Sequence, residues 1–456
     1  MLPPNLAPYE YVWPQPGTLV APAWQRLDGT PLLARPLPES VDELARDSRW
    51  PALFPSPICI VTVADGEAVA MERVVGPSIV NRFPYVMALS LCVEDLSGRH
   101  YARSRFVDML ASGKQAAIQF LVPGAALDAA LGAIADLRDS QADARISATR
   151  LPTRRAFSNS APVFKDAYLV YEGRLIAGEA SIKVGSHRVF FLQINAIQLR
   201  EDIAQGRESI LWRSLPTWDS RRTSGHIKVA RAVREAELAR LKFQKPYTAH
   251  YRFPAPSTVA FEATAHAHGM AIRELPPDPA AQVEVDNDRA RWPCFFPSSV
   301  GVITSRAADG RVAVMPCGST TVVSRHPMVI APCISYNPVN ERYAARATLD
   351  IIRESGRFAC GVPFISDEIL EFIGFTGNIS LKTDPDKLAK CGLDSAVLGA
   401  NPVLLDLPVT FDCRVIGEKL LGTHAMVLGE VERVFVREDV SERHPLRWCP
   451  WATVSG

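Results

Sequence analysis

Arg49-Trp50-Pro51-Ala52-Leu53-Phe54-Pro55-Ser56 returns later in the chain as Arg291-Trp292-Pro293-Cys294-Phe295-Phe296-Pro297-Ser298, displaced by 242 residues (50 to 292). Both stretches run into an apolar strand and an Asp-Gly turn: Ile58-Cys59-Ile60-Val61-Thr62 before Asp65-Gly66, and Val300-Gly301-Val302-Ile303-Thr304 before Asp309-Gly310. The correspondence then continues in order. Val80-Asn81-Arg82-Phe83-Pro84 matches Val323-Ser324-Arg325-His326-Pro327, and Ser112-Gly113 matches Ser355-Gly356. Tyr171 to Ile176 matches Phe411 to Ile416, and Gly185-Ser186-His187 matches Gly422-Thr423-His424. An ordered series this long is the signature of internal duplication. It predicts two homologous domains over 9–205 and 249–442, with a linker over 206–248 and a C-terminal tail over 443–456. Within the linker, Val229 to Phe243 carries apolar residues at helical spacing.

Composition bounds the partners. The 456 residues are 47% apolar and 22% charged, which excludes disorder as the main state. Fifty Lys and Arg against 49 Asp and Glu leave a net charge of +1, too little to draw nucleic acid or an anionic membrane. The nine cysteines are scattered and form no C-x-x-C pair, the usage of a reducing compartment. The start, Met1-Leu2-Pro3-Pro4, has neither a basic region nor an apolar stretch, and no run approaches a membrane span. The expectation is a cytoplasmic protein with a small-molecule substrate.

Each copy reads as short strands broken by Gly, Pro, Asn and Asp, with few helices. In the second copy, strands are expected at Val300–Ile303, Val312–Met315, Met328–Ile334, Arg357–Val362, Val409–Ile416 and Ala425–Val436. Helices are expected over Ala344–Glu354, from Ser366 to Ile373, and from Asp384 through Leu388. The fold class is mainly β with a few helices, a barrel and not a doubly wound sheet.

G-x-G-x-x-G, Walker A, G-x-S-x-G and H-E-x-x-H are all absent from the sequence. His266-Ala267-His268 places two rings on one strand face, but no third ligand joins them and no metal is expected. The strongest local signal is Pro316-Cys317-Gly318-Ser319-Thr320-Thr321, a small hydroxyl-rich loop before an apolar strand. Such a loop holds a phosphate or ring carbonyl, or is simply a polar turn. Cys317 beside it reads as a packing cysteine.

These residues, with Thr348 opening a helix, Asp386-Lys387-Leu388, Asp412-Cys413-Arg414-Val415 and Gly422-Thr423-His424 before Gly429-Glu430-Val431, give residues 290–440 a specific character. The stretch resembles the flavin reductase-like FMN-binding split-barrel family. The resemblance implies two tandem split β-barrel domains forming a pseudo-dimer within one chain, a further homodimer staying open. It also implies FMN or FAD as cofactor and NAD(P)H as co-substrate. Ser319, Thr320, Thr321, Ser335, Asn337, Arg346 and Thr348 would hold the flavin, with His424 near its reactive edge. The family's Gly-Asp-His element reads Gly-Thr-His here, without the Asp.

The first copy departs further. An offset of 242 sets Ser104 and Phe106 opposite Arg346 and Thr348, although Arg103 and Arg105 stand alongside. Two functions follow. One is an FMN-binding oxidoreductase of flavin reductase type, carrying hydride from NAD(P)H to flavin and on to a small-molecule acceptor. The other is a repurposed barrel without flavin, catalysing a lyase, isomerase or hydrolase step, with His424, His187 and His100 as acid/base candidates.

Overall fold

The computed structural model describes residues 11–12, 25–36, 58–81, 85–94, 103–121, 125–178, 180–200, 262–267, 270–275, 300–325, 327–336, 345–363, 367–437 and 447–448. The chain opens with β1 (Tyr11–Val12), paired to the C-terminal β25 (Arg447–Trp448), and a hairpin of β2 (Gln25–Arg26) and β3 (Leu32–Pro36). The first copy follows as β4 (Ile58–Asp65), β5 (Ala68–Val75), β6 (Ser78–Asn81), β7 (Val86–Cys92), α1 (Ser104–Gly113) and β8 (Gln115–Leu121). It continues through α2 (Ala125–Asp136), α3 (Arg145–Thr149), β9 (Thr153–Arg155), β10 (Pro162–Phe164), β11 (Ala167–Leu175), β12 (Ser181–Val184) and the long β13 (His187–Arg200).

A second hairpin, β14 (Glu262–Ala267) and β15 (Met270–Leu275), leads into the second copy. That copy has β16 (Gly301–Arg306), β17 (Val312–Cys317), β18 (Thr320–Arg325), β19 (Met328–Ser335), α4 (Ala347–Ser355) and β20 (Arg357–Val362). It ends with α5 (Asp367–Asn378), α6 (Lys387–Lys390), β21 (Ser395–Leu398), β22 (Asn401–Leu404), β23 (Val409–Leu421) and β24 (His424–Arg437). The expected linker helix, Asn337, His100 and His268 lie outside the described residues.

Two antiparallel sheets of ten and nine strands result, ordered β14-β15-β13-β11-β8-β4-β5 and β17-β16-β20-β23-β24-β19-β18 along their main paths. The long strands curl each sheet into a split barrel: β13 pairs with β7 over its first half and β11 over its second, while β24 pairs with β23 along its length and with β19 over its first half. Each barrel closes over its own apolar core, centred on residues such as Ile60, Ile118 and Tyr171, or Ile303, Phe358 and Phe411. The same internal bond recurs in both: the Thr62 hydroxyl donates to Pro162 O at 2.6 Å, and that of Thr304 to Pro402 O at 2.5 Å. Among the described residues no helix is long and apolar enough to cross a membrane.

The α4 helix stops where expected, at Gly356 in the left-handed region (φ 66°), but starts at Ala347 and not Ala344. The Arg346 amide donates to Ser335 O at 2.9 Å, which holds Arg346 extended and sets the first turn after it. The α6 helix likewise starts at Lys387, three residues later than the sequence suggests.

The barrels pack through an apolar layer built from the same positions of each copy: Val80 with Val323, Val86 with Val329, Ala88 with Ala331, Val184 with Leu421, Val189 with Met426 and Phe191 with Leu428. A surface using equivalent residues from both sides is that of a two-fold dimer, here within one chain. Hydrogen bonds cross it, from Ser90 Oγ to Val323 O (2.6 Å) and from Thr321 Oγ1 to Gly76 O (2.6 Å).

The lead-in hairpins are exchanged. β3, before the first copy, pairs with β24 of the second, Leu32 opposite Arg437 and Pro36 opposite Arg433. β15, before the second copy, pairs with β13 of the first, Ile272 opposite Arg200 and Leu275 opposite Ile197. Ranges 9–205 and 249–442 therefore each include a lead-in hairpin that belongs to the other copy's sheet.

Candidate functional site in the second copy

The site forms where β19 ends and the chain returns as α4. The Arg346 N–H to Ser335 O bond pins the helix N-terminus to the strand end, so its unpaired amides face one corner. Arg346 is the N-cap residue and Thr348 lies buried in the first turn. Ser335, 6% exposed, ends β19, and its Oγ has no hydrogen-bond partner. Its register partner on β24 is His424, so the two side chains share a face.

Lys387, the first residue of α6, is 4% exposed. Its pKa falls from 10.5 to about 7, first because burial disfavours the cation and then because the Arg346 charge repels it. The nearby buried carboxylate, Asp384, is engaged by Lys390 Nζ at 2.9 and 3.0 Å. Arg346 also acts on the buried Cys317, whose thiol is pushed up by burial and donates to Cys333 O at 3.3 Å. That places the Cys317–Thr320 turn beside the same helix end. Cys317 is a packing cysteine.

The hydroxyl loop is more committed than its sequence suggests. Thr320 Oγ1 donates to Cys317 O (3.0 Å), tightening the β17–β18 turn, and Ser319 O accepts from Cys333 N–H (2.9 Å). The Thr321 hydroxyl is the bond to Gly76 across the barrels. Ser335, Arg346, Thr348 and His424 therefore gather at one corner with the Ser319 turn beside them, while Thr321 serves the interface.

His424 is oriented from the first copy. Asn81 Oδ1 accepts from Thr423 N–H (2.9 Å), Thr423 Oγ1–H (2.9 Å) and His424 N–H (3.1 Å). With its proton given to Asn81, the Thr423 hydroxyl accepts from His424 Nδ1 at 2.8 Å. The network assigns the neutral ring its proton at Nδ1 and makes Nε2 the basic nitrogen. Thr423 stands where the Gly-Asp-His element carries its Asp. In the first copy His187 is buried, with Nδ1 2.9 Å from Ser186 Oγ.

The expected pairing of Ser104 and Phe106 with Arg346 and Thr348 is corrected. Val63 faces Ala70 where Ser305 faces Ala313, so the β16–β17 turn is one residue longer and the offset becomes 243 (70 to 313). Arg103 N–H donates to Cys92 O at 2.9 Å, the twin of Arg346 N–H to Ser335 O. Arg103 and Arg105 are thus the counterparts of Arg346 and Thr348. Sequence reasoning quoted Lys387 without giving it a role. The signal available was its buried setting beside a second cation, which only the fold reveals.

Residues 293–452 match the model of the flavin reductase like domain, so the second copy carries that domain. Among solved structures, the FMN-binding protein from Thermus thermophilus with bound 1-cyclohex-2-enone shares 19% identity over 33% of this chain and 78% of its own, with a TM-score of 0.28. The flavin reductase PheA2 shares 22% identity over 34% and 86%, with a TM-score of 0.25. A homolog of nitrilotriacetate monooxygenase component B from Mycobacterium thermoresistibile shares 23% over 34% and 76%, with a TM-score of 0.26. No curated protein matches the chain.

Proposed function

We propose that the chain is an FMN-binding oxidoreductase of flavin reductase type whose cofactor is held by the second copy. The observation that carries this reading is a pair of cations at a helix N-terminus, the half-buried Arg346 and the buried Lys387, beside the unpartnered hydroxyl of Ser335. Two cations and helix amides suit a phosphate dianion. The family match over 293–452 supplies the class of ligand that brings one.

In this reading Arg346, Lys387, Thr348 and the α4 amides hold the phosphate. Ser335 and the Ser319 turn offer hydrogen bonds to polar atoms of the ring system. Bound there, the flavin supplies two-electron chemistry between NAD(P)H and a small-molecule acceptor. Lys387, half charged near pH 7 without a ligand, takes up a proton as the anion arrives. His424, oriented through Thr423 by Asn81, presents Nε2 as a base or, once protonated, as a donor to substrate.

The same Asn81–Thr423–His424 relay favours a second reading, a barrel without flavin in which His424 is the acid/base of a non-redox step. A visible spectrum of the purified chain, before and after FMN addition and desalting, separates the two. Retained yellow flavin that bleaches anaerobically with NADH supports the first. A colourless chain that does not retain FMN overturns it.

A further inference from the structure

A cleft of about 730 Å³ opens on the first copy between the start of β8, the β9–β10 connection and the end of β11. Arg155 and Arg174 line it, together with Gln115, Phe157, Ser158 and Ser160. Every lining residue belongs to the first copy, and none is shared with the corner at Arg346.

The connection is held in shape from beneath. Glu172, fully buried, accepts at Oε1 from the Phe157 amide (2.9 Å) and at Oε2 from the Ser158 amide (2.6 Å) and hydroxyl (2.8 Å). Gln198 Nε2 also donates to Oε1, so this carboxylate is committed to its own loop. Asn159 fixes the rest: its Nδ2 donates to Ala116 O at 3.1 Å and its Oδ1 accepts from Ala161 N–H at 2.9 Å. Arg154 turns to Gln198 Oε1 and lies 5.2 Å from the Phe157 ring centre, close enough to Glu172 to feel its charge. Arg174 Nη2 donates to Ser158 O at 3.3 Å. Among the described residues, neither Arg155 nor Arg174 forms an ion pair, so three arginines meet one glutamate.

The second copy neutralises the same face. Strand registers equate Gln115 with Arg357, Arg174 with Arg414, Gln193 with Glu430 and the bulged Asn195 with Glu432. There Arg414 pairs with Glu430 (2.5 Å) and Glu432 (3.0 Å), and Arg357 pairs with Glu432. The first copy keeps the arginine and carries amides at both acid positions. It also adds a cation. Pro162 and Pro402 accept the same threonine bond, and Arg155 faces Pro162 where Val397 faces Pro402. Six residues separate Arg155 from Pro162 and four separate Val397 from Pro402, so the longer connection makes room for the cleft.

We propose that this cleft binds the phosphate or carboxylate of a small organic anion, with Arg155 and Arg174 as its cation pair and the Phe157 ring beside its carbon frame. Guanidinium groups present paired N–H donors that match either oxyanion. Ser160 Oγ accepts from Gln115 Nε2 and keeps its own proton to donate. The proposal stands on the cleft and on the charge difference between the copies, and it draws nothing from the flavin reading.

Calorimetric titration of the full-length chain with phenyl phosphate and, separately, with benzoate tests it. At least one probe is expected to bind, less tightly as salt is raised, and the one that binds names the oxyanion. Arg155→Gln with Arg174→Gln should weaken that binding at least about tenfold. Gln193→Glu gives Arg174 the acid that Glu430 gives Arg414, and should weaken it to a similar degree. All three positions are exposed, so both variants should melt with the unaltered chain. Both should also retain FMN to the same extent as that chain, so the fate of the flavin reading leaves this test intact. Where phenyl phosphate also enters the corner at Arg346, the variants should remove one of two binding events. Failure of the unaltered chain to bind either probe, or binding that either variant leaves unchanged, overturns the proposal.

Discussion

Replacing Lys387 by Met removes a buried charge whose cost is set by its surroundings. Its pKa drops from 10.5 in the unfolded chain to about 7 in the fold. At ~1.4 kcal/mol per pH unit, the difference is worth about 3–5 kcal/mol. The sign follows from proton counting. Below pH 7 both states hold the proton and the full penalty is present. Between 7 and 10.5 the unfolded chain holds more protons, so the stability of the ligand-free chain rises with pH. Above 10.5 neither state is charged and the penalty is gone. Lys387→Met is apolar and of similar length, so it lacks the penalty at every pH. Thermal melts in phosphate-free buffer should therefore show it above the unaltered chain at pH 6.5 by about 6–20 °C, at roughly 2–4 °C per kcal/mol for a domain of this size. The gap should close steadily towards pH 10. The reasoning is refuted if the gap is independent of pH, or if the variant melts below the parent at pH 6.5.

Other outcomes follow from the same geometry. Anion binding raises the Lys387 pKa and so takes up a proton above pH 7; the dissociation constant for FMN, read by fluorescence, should rise up to about tenfold per pH unit from 7 to 9. Lys387→Met should flatten that profile, and an unchanged slope would exclude Lys387 from the phosphate site. Asn81→Ala leaves buried donors of Thr423 and His424 without their acceptor, costing about 2–3 kcal/mol in urea melts. It should also lower kcat about tenfold with little change in KM for the acceptor, whereas a purely structural Asn81 would leave kcat intact. Phe191→Ala empties part of the layer between the barrels and should cost about 3–5 kcal/mol in denaturant. A loss under 1 kcal/mol would mean that the layer contributes little.

The duplication was legible because it compares the chain with itself, and the tryptophan-proline stretches around Trp50 and Trp292 anchor it. The helix stop at Ser355-Gly356 was legible too, since glycine takes the left-handed cap at Gly356 without strain, whereas the matching helix of the first copy runs through Gly113 and caps on Lys114 (φ 55°). Partner choice was not: neither Leu32–Pro36 nor Met270–Leu275 is read as a strand from the sequence, and nothing in their residues says which sheet they join. The corner at Arg346 was half legible. Its helix start and arginine are local signals. The meaning of Lys387 arises only when residues distant in sequence meet. Thr321 shows the opposite error, a hydroxyl in the right motif whose bond is spent on Gly76 in the neighbouring barrel.

With β3 lying on β24 and β15 on β13, no single cut between the copies releases two self-sufficient halves. A chain nicked within 206–248 leaves each fragment holding a strand that the other needs, so separately expressed fragments should reassemble only as a clasped pair. The tether replaces encounter with a high effective concentration. It also frees the halves to differ. In this molecule the first copy supplies Asn81 to the histidine of the second, while Ser324 stands at the matching position of the second copy.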